Sequence, residues 1–167
     1  MTSAVIALGA NLGDATSALQ GAIDALTETA GITVRAASPV FETDPVGGPD
    51  QPVYVNAVVL LETELEPLGL LRRLNEIEEL WQRTREVRWG PRTLDLDIID
   101  IAGFTSDTEH LTVPHPRAHQ RGFVLVPWLS VNADATLGGI DVTELVRSVD
   151  VTGVRKVDPE LRLVIAS

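Results

Sequence analysis

The apolar residues of this chain change period in a fixed order: strand, helix, strand, strand, helix, strand. Chain connections are short and handed, so that order leaves few topologies. Ala4 to Ala10 is an unbroken apolar run, as a buried strand shows. The turn Asn11-Leu12-Gly13-Asp14 follows, with Asp14 as a helix cap. Leu19, Ala22, Ile23 and Leu26 fall on one helical face, and Gly31 stops the helix. Ile32 to Phe41 reads as a second strand, bent near Pro39, and Tyr54 to Leu61 as a third. Pro67 suits the first turn of a second helix, which carries Leu71, Leu74, Ile77 and Trp81 toward the core. Leu94 to Ile101 closes the series as a fourth strand.

This order predicts an α+β fold with a ferredoxin-like βαββαβ core, a mainly antiparallel sheet covered by helices. Further along, His110 to Val113 predicts a short strand and Gly122 opens a short helix. Asp141 caps a helix through Asp141-Val142-Thr143-Glu144, and Leu161 to Ala166 predicts a last strand. At 167 residues, without repeats or a splitting linker, residues 1–167 read as a single domain, with 151–167 as a C-terminal edge element. The segment Thr43 to Pro52 holds three prolines and two glycines, and its length without structure predicts a functional loop.

The chemistry concentrates between Arg83 and Asp97. That run sets Arg83, Arg85, Arg88 and Arg92 and the indole of Trp89 just ahead of Asp95 and Asp97. Residues two apart in a strand share a face, so the two carboxylates form a hard-oxygen site of the kind that holds Mg²⁺. The arginines beside it suggest a polyphosphate, whose oxygens the guanidinium fork binds in pairs. The alternative is a solvated, charged loop. A net charge of −11 disfavours general nucleic-acid binding and makes this basic cluster stand out. The chain has no cysteine, which excludes disulfides, thiolate metal sites and a cysteine nucleophile. It has no membrane-length apolar run, and no basic region leads into an apolar leader. The expectation is a soluble, cytoplasmic protein.

Arg88-Trp89-Gly90-Pro91-Arg92-Thr93-Leu94-Asp95-Leu96-Asp97 resembles the signature of the 6-hydroxymethyl-7,8-dihydropterin pyrophosphokinase family. Three further segments resemble that family in the same order. They are Leu8 to Asp14, Asp50-Gln51-Pro52 with Tyr54 and Asn56, and Leu111 to Arg117 with Arg121 to Leu125. The similarity runs from about Ala4 to Leu129. It implies transfer of diphosphate from ATP to the hydroxymethyl group of the pterin, with release of AMP, in folate biosynthesis. It implies the ferredoxin-like fold, in agreement with the element order. It also implies two Mg²⁺ ions bound with ATP and does not imply an obligatory protein partner, while the charge and the apolar runs predict neither a nucleic-acid nor a membrane partner.

Residue by residue, the resemblance gives Asp95 and Asp97 as magnesium ligands, and Arg83 and Arg92 as the triphosphate arginines, these four forming the catalytic set. Glu78, Arg85, Ile98, Thr112, His115 and Arg121 join Arg92 on the ATP side. Thr43, Pro45, Val46, Tyr54, Asn56, Trp89 and Phe123 take the pterin, Trp89 and Phe123 as an aromatic sandwich and Asn56 as donor and acceptor to its edge. For Phe123 core packing is the alternative, for Glu78 an ordinary exposed helix position, and for His115 a turn histidine. His110 and His119 receive no role.

Trp81-Gln82 stand where the family usually has Leu-Gly, which predicts a stiffer start to the arginine loop. One rival is a non-catalytic pterin- or nucleotide-binding module on the same fold. Its sign would be loss of a metal carboxylate or of Arg92, and neither is lost. The other is a P-loop or dinucleotide-binding protein. Gly9 to Gly13 lacks both the Gly-x-Gly-x-x-Gly spacing and a Gly-Lys-Ser/Thr.

Overall fold

The computed structural model describes residues 1–11, 15–43, 54–84, 94–157 and 160–166. The elements are β1 (Thr2–Asn11), α1 (Ala15–Thr27), β2 (Ile32–Ala37), β3 (Phe41–Thr43), β4 (Tyr54–Thr63), α2 (Pro67–Thr84) and β5 (Leu94–Ile101). After them come β6 (Ser106–Asp107), β7 (Thr112–Val113), a 3₁₀ turn (Ala118–Gln120) and α3 (Gly122–Val131). The chain ends with β8 (Thr136–Leu137), β9 (Ile140–Asp141), α4 (Val142–Arg147) and β10 (Val154–Lys156).

One sheet runs β10-β3-β4-β1-β5, with β2 also on β4, and every pairing in it is antiparallel. This is the predicted βαββαβ core. β1 lies along the whole of β4, from Thr2 opposite Thr63 to Asn11 opposite Tyr54. β2 and β3 share the other edge of β4 and are divided at Pro39, as the bend there predicted. Proline offers no N–H to a ladder. Buried Ser38 covers the break: its N–H donates to the Val58 carbonyl at 2.9 Å, and its Oγ accepts from the Val58 N–H at 2.9 Å.

Strand alternation divides the side chains between two cores. Ile6, Leu8, Ala57, Val59, Leu94, Leu96 and Ile98 pack under α1 and α2 against Leu19, Ile23, Leu26, Leu70, Leu74 and Ile77. Leu71 and Trp81 are only partly buried at the margin, and Leu70 takes the central place instead. Truncating a fully buried leucine such as Leu74 to alanine costs about 2–5 kcal/mol. The opposite face carries Ala7, Val58 and Ile99, covered by Val124, Leu125 and Trp128 of α3. A bulge at Val5/Ile6 of the β1–β5 pairing lets Ile98 and Ile101, three residues apart, enter the same core, with Ile99 in the other.

Several expectations are corrected. Leu161 to Ala166 forms no strand; Arg162 makes one isolated bridge with Pro39, and the C-terminal strand is β10. His110 to Val113 shrinks to Thr112–Val113, paired with β6. Asp141 stands at the N-cap of α4 without a side-chain capping bond, because it is already the last residue of the β8–β9 hairpin. α2 runs on through Trp81-Gln82 to Thr84, where glutamine favours a helix that glycine would weaken by about 1 kcal/mol. Asp14 lies outside the described residues.

Candidate active site

The face of the sheet that α3 covers is apolar at one end and polar at the other. Val58, Ala7 and Asp97 lie in one row across β4, β1 and β5, and Asn56, Gly9 and Asp95 in the next. Tyr54 follows Asn56 on the same face, one step further along β4. The carboxylates expected to share a face therefore do so, with Asp95 exposed and Asp97 half-buried. Asn56 stands one strand beyond Gly9 from Asp95.

Gly9 makes this row possible. A Cβ there would lie 2.6 Å from Cε1 of Tyr54 and 3.2 Å from its hydroxyl oxygen. Without one, the Tyr54 ring crosses β1 and donates its hydroxyl to Asp95 Oδ2. From the sequence Gly9 reads as part of a strand and turn that lacks a nucleotide-loop spacing. A lone glycine inside an apolar strand is itself a signal of close approach. Asn56 is 3% exposed and donates Nδ2 to Thr43 Oγ1 at 2.8 Å, leaving its carbonyl oxygen for another donor.

β5 is the edge strand, and its outer edge is occupied in two places. Glu78 of α2 accepts the Leu96 N–H at 2.8 Å, between the two aspartates. His115 donates its backbone N–H to the Ile99 carbonyl at 2.9 Å. Outward groups alternate along an antiparallel edge, so the backbone of Ile98 faces outward between these two anchors. The Ile98 side chain is 4% exposed in the core under α1 and α2, so its expected ATP contact is left to its backbone.

Burial raises the Glu78 pKa; the Leu96 N–H pulls it down, and Asp95 and Asp97 push it up again. Glu78 is thus a half-buried strand cap, neither an exposed helix glutamate nor a free ligand. A raised carboxylate pKa means that the ionised form costs folding stability, and that cost is relieved as pH falls through the folded-state pKa. Glu78→Gln keeps an acceptor for Leu96 and drops the charge. Its thermal midpoint should match or exceed the parent's at alkaline pH, and the difference should shrink as the pH is lowered. Glu78→Ala leaves the Leu96 N–H unpaired and should cost about 1–2 kcal/mol. A glutamine variant as unstable as the alanine one would refute this account.

His115 Nδ1 accepts the Arg117 backbone N–H at 3.1 Å, so the neutral ring carries its proton on Nε2. Burial lowers its pKa; Asp97 works against that fall, and Arg121 and Arg117 add to it. The Arg121 guanidinium lies over the Phe123 ring at 5.6 Å, and Phe123 packs at the margin of the core under α3. Thr112 Oγ1 donates to the Thr108 carbonyl at 3.4 Å. Arg83 falls in the last turn of α2. Pro45, Val46, Arg85, Arg88, Trp89 and Arg92 lie outside the described residues.

Among the described residues, no three or more of His, Asp and Glu are grouped to hold a metal ion by themselves. Two carboxylates on one face at the polar end of the sheet fit a different arrangement. Mg²⁺ demands oxygen ligands and is commonly held by one or two carboxylates completed by substrate phosphates and water. Among the described residues, no helix is long and apolar enough to cross a membrane.

Residues 5–133 match the 7,8-dihydro-6-hydroxymethylpterin-pyrophosphokinase (HPPK) family. The 2-amino-4-hydroxy-6-hydroxymethyldihydropteridine pyrophosphokinase of Methylorubrum extorquens is 40% identical over 158 residues, covering 95% of this chain and 100% of that protein. The Bacillus subtilis protein of the same name is 48% identical over 124 residues, covering 74% of each. The crystal structure of wild-type Plasmodium falciparum HPPK-DHPS with SDX-DHP superposes with a TM-score of 0.70 at 16% identity. It covers 88% of this chain, which spans 44% of that longer one, and the likeness speaks to the fold. The residue match, the near full-length relatives and the shared sheet agree: the chain belongs to the 7,8-dihydro-6-hydroxymethylpterin-pyrophosphokinase family.

Proposed function

We propose that this protein, folded as one domain, transfers diphosphate from MgATP to the hydroxymethyl group of 6-hydroxymethyl-7,8-dihydropterin, at the polar half of the sheet. The observation that carries the assignment is the row Asn56–Gly9–Asp95, with Asp97 beside it. It sets a group suited to a heterocycle edge on the same face as two carboxylates suited to a metal–polyphosphate, with one strand between them. In the reaction the hydroxymethyl oxygen bonds to the β-phosphorus and the bond to the α-phosphate oxygen breaks. AMP leaves, and the hydroxyl proton passes to solvent or a phosphate oxygen.

Asp95 and Asp97 would hold Mg²⁺, two ions with ATP. Mg²⁺ bound there supplies positive charge to the phosphate oxygens and orients them. Arg83 and Arg92 serve the triphosphate, with Arg85, Thr112, Arg121 and the backbone of Ile98 on the nucleotide side. Nε2–H of neutral His115 is a donor suited to a phosphate oxygen near Asp97. Glu78 acts through the strand, by fixing the backbone between the two aspartates. On the pterin side, Asn56 reads the edge, Thr43 orients it, and Tyr54 lines the pocket while steadying Asp95. Pro45 and Val46 supply backbone groups, and Trp89 and Phe123 the stacking faces. Positioning and charge carry such a transfer, so the reading invokes no covalent nucleophile.

The test is AMP release from the purified protein with MgATP, with and without the pterin, and a mass measurement on the product. Pterin-dependent AMP and a diphosphorylated pterin support the reading. Tight pterin binding without AMP would favour a binding module instead. A second measurement probes the row itself. Gly9→Ala should drive the Tyr54 ring off Asp95, since the new Cβ would lie 2.6 Å from Cε1 of that ring. kcat/KM should fall about tenfold with little change in thermal midpoint. Parent-like turnover would remove Tyr54 from the site.

A further inference from the structure

The family match ends at residue 133, yet the chain beyond it returns to the pterin side of the sheet. β3 is three residues long and carries Thr43, whose hydroxyl holds the Asn56 amide. On one side β3 pairs with β4; on the other, Val154, Arg155 and Lys156 of β10 stand opposite Thr43, Glu42 and Phe41. Three-residue strands are weak on their own, and an edge strand of that length frays.

The tail that follows is tied down at several points. The Val157 N–H donates to the Val40 carbonyl at 3.1 Å, and the Val40 N–H to the Leu161 carbonyl at 2.9 Å, so both backbone groups of the residue before β3 are taken. Gln20 of α1 grips Val164 in the manner of a strand, donating Nε2 to its carbonyl at 2.8 Å and accepting its N–H at 2.9 Å. Leu163 and Ile165 pack against the main core, and Arg155 Nε meets Glu42 Oε1 at 2.8 Å.

We infer that β10, Val157 and the segment from Glu160 to Ile165 form a positioning brace for the pterin subsite, setting Thr43 and, through its hydroxyl, the Asn56 amide. The inference rests on the pterin-side reading of Thr43 and Asn56. Among the described residues the hydrogen bonds of this tail run to β3, Val40 and Gln20 rather than to β5, so its effect is expected chiefly on the pterin subsite.

Arg155→Pro in the full chain disrupts β10. The pterin KM should rise about tenfold while the ATP KM stays within about twofold, and Arg155→Lys should behave as the parent. In a Thr43→Val background, which raises the pterin KM by itself, Arg155→Pro should add little. If Arg155→Pro does not fold, the pair Arg155→Gly with Lys156→Gly, which loosens the strand and keeps its N–H groups, is read the same way. An unchanged pterin KM beside an active Thr43→Val effect would overturn the brace and leave the site reading intact. Equal losses for both substrates would make β10 a general stability element and overturn it too. Thr43→Val without effect would overturn the pterin-side reading itself.

Discussion

Asp97→Ala is expected to lower kcat by about a thousandfold or more and to weaken MgATP binding, with the fold intact. Asp97 is half-buried and stands opposite Ala7, beside His115 and within the influence of Glu78. Its removal eases repulsion on Glu78, so the thermal midpoint should hold or rise. On the proposed reading turnover, by contrast, needs negative charge at that position to gather Mg²⁺ and the polyphosphate on one face. Asp97→Asn separates shape from charge. It fills the same space but offers a neutral oxygen, and it should lose nearly as much, with partial recovery as Mg²⁺ concentration is raised. Turnover within about tenfold of the parent in either variant would overturn the metal assignment.

The shared face of Asp95 and Asp97 was legible because the period of a strand is two and Leu94, Leu96 and Ile98 mark the buried side. The bend at Pro39 was legible for an equally local reason, the missing N–H. What escaped the sequence depended on partners far along the chain. Gly9 acquires meaning only once Tyr54 is folded across it. Glu78 looks like any helix glutamate until α2 is laid beside the edge of β5, where its carboxylate finds the Leu96 N–H. The tail illustrates the same point in reverse. Leu161 to Ala166 has the composition of a strand, but its backbone bonds go to Val40 and to the side-chain amide of Gln20. The actual strand, Val154-Arg155-Lys156, is too short to show a period and is defined by the edge of β3.

Asn56→Ala should raise the pterin dissociation constant about a hundredfold, measured beside a non-hydrolysable ATP analogue, and leave affinity for the analogue unchanged. Two hydrogen bonds to the pterin edge at about 1–1.5 kcal/mol each give that factor. Alanine also abandons Thr43, so the measurement needs a partner that separates holding from reading. Asn56→Asp supplies it. The Thr43 hydroxyl that now accepts from Nδ2 can instead donate to a carboxylate, so the Thr43 contact survives. The amide donor is gone, however, and a negative charge enters the row that already ends in Asp95. If Asn56 merely fastened β3 to β4, the aspartate variant would bind pterin as the parent does. If it reads the heterocycle, the aspartate variant binds as poorly as the alanine one. Parent-like pterin binding by Asn56→Asp would therefore reduce Asn56 to a structural tie and move pterin recognition elsewhere in the polar half of the sheet.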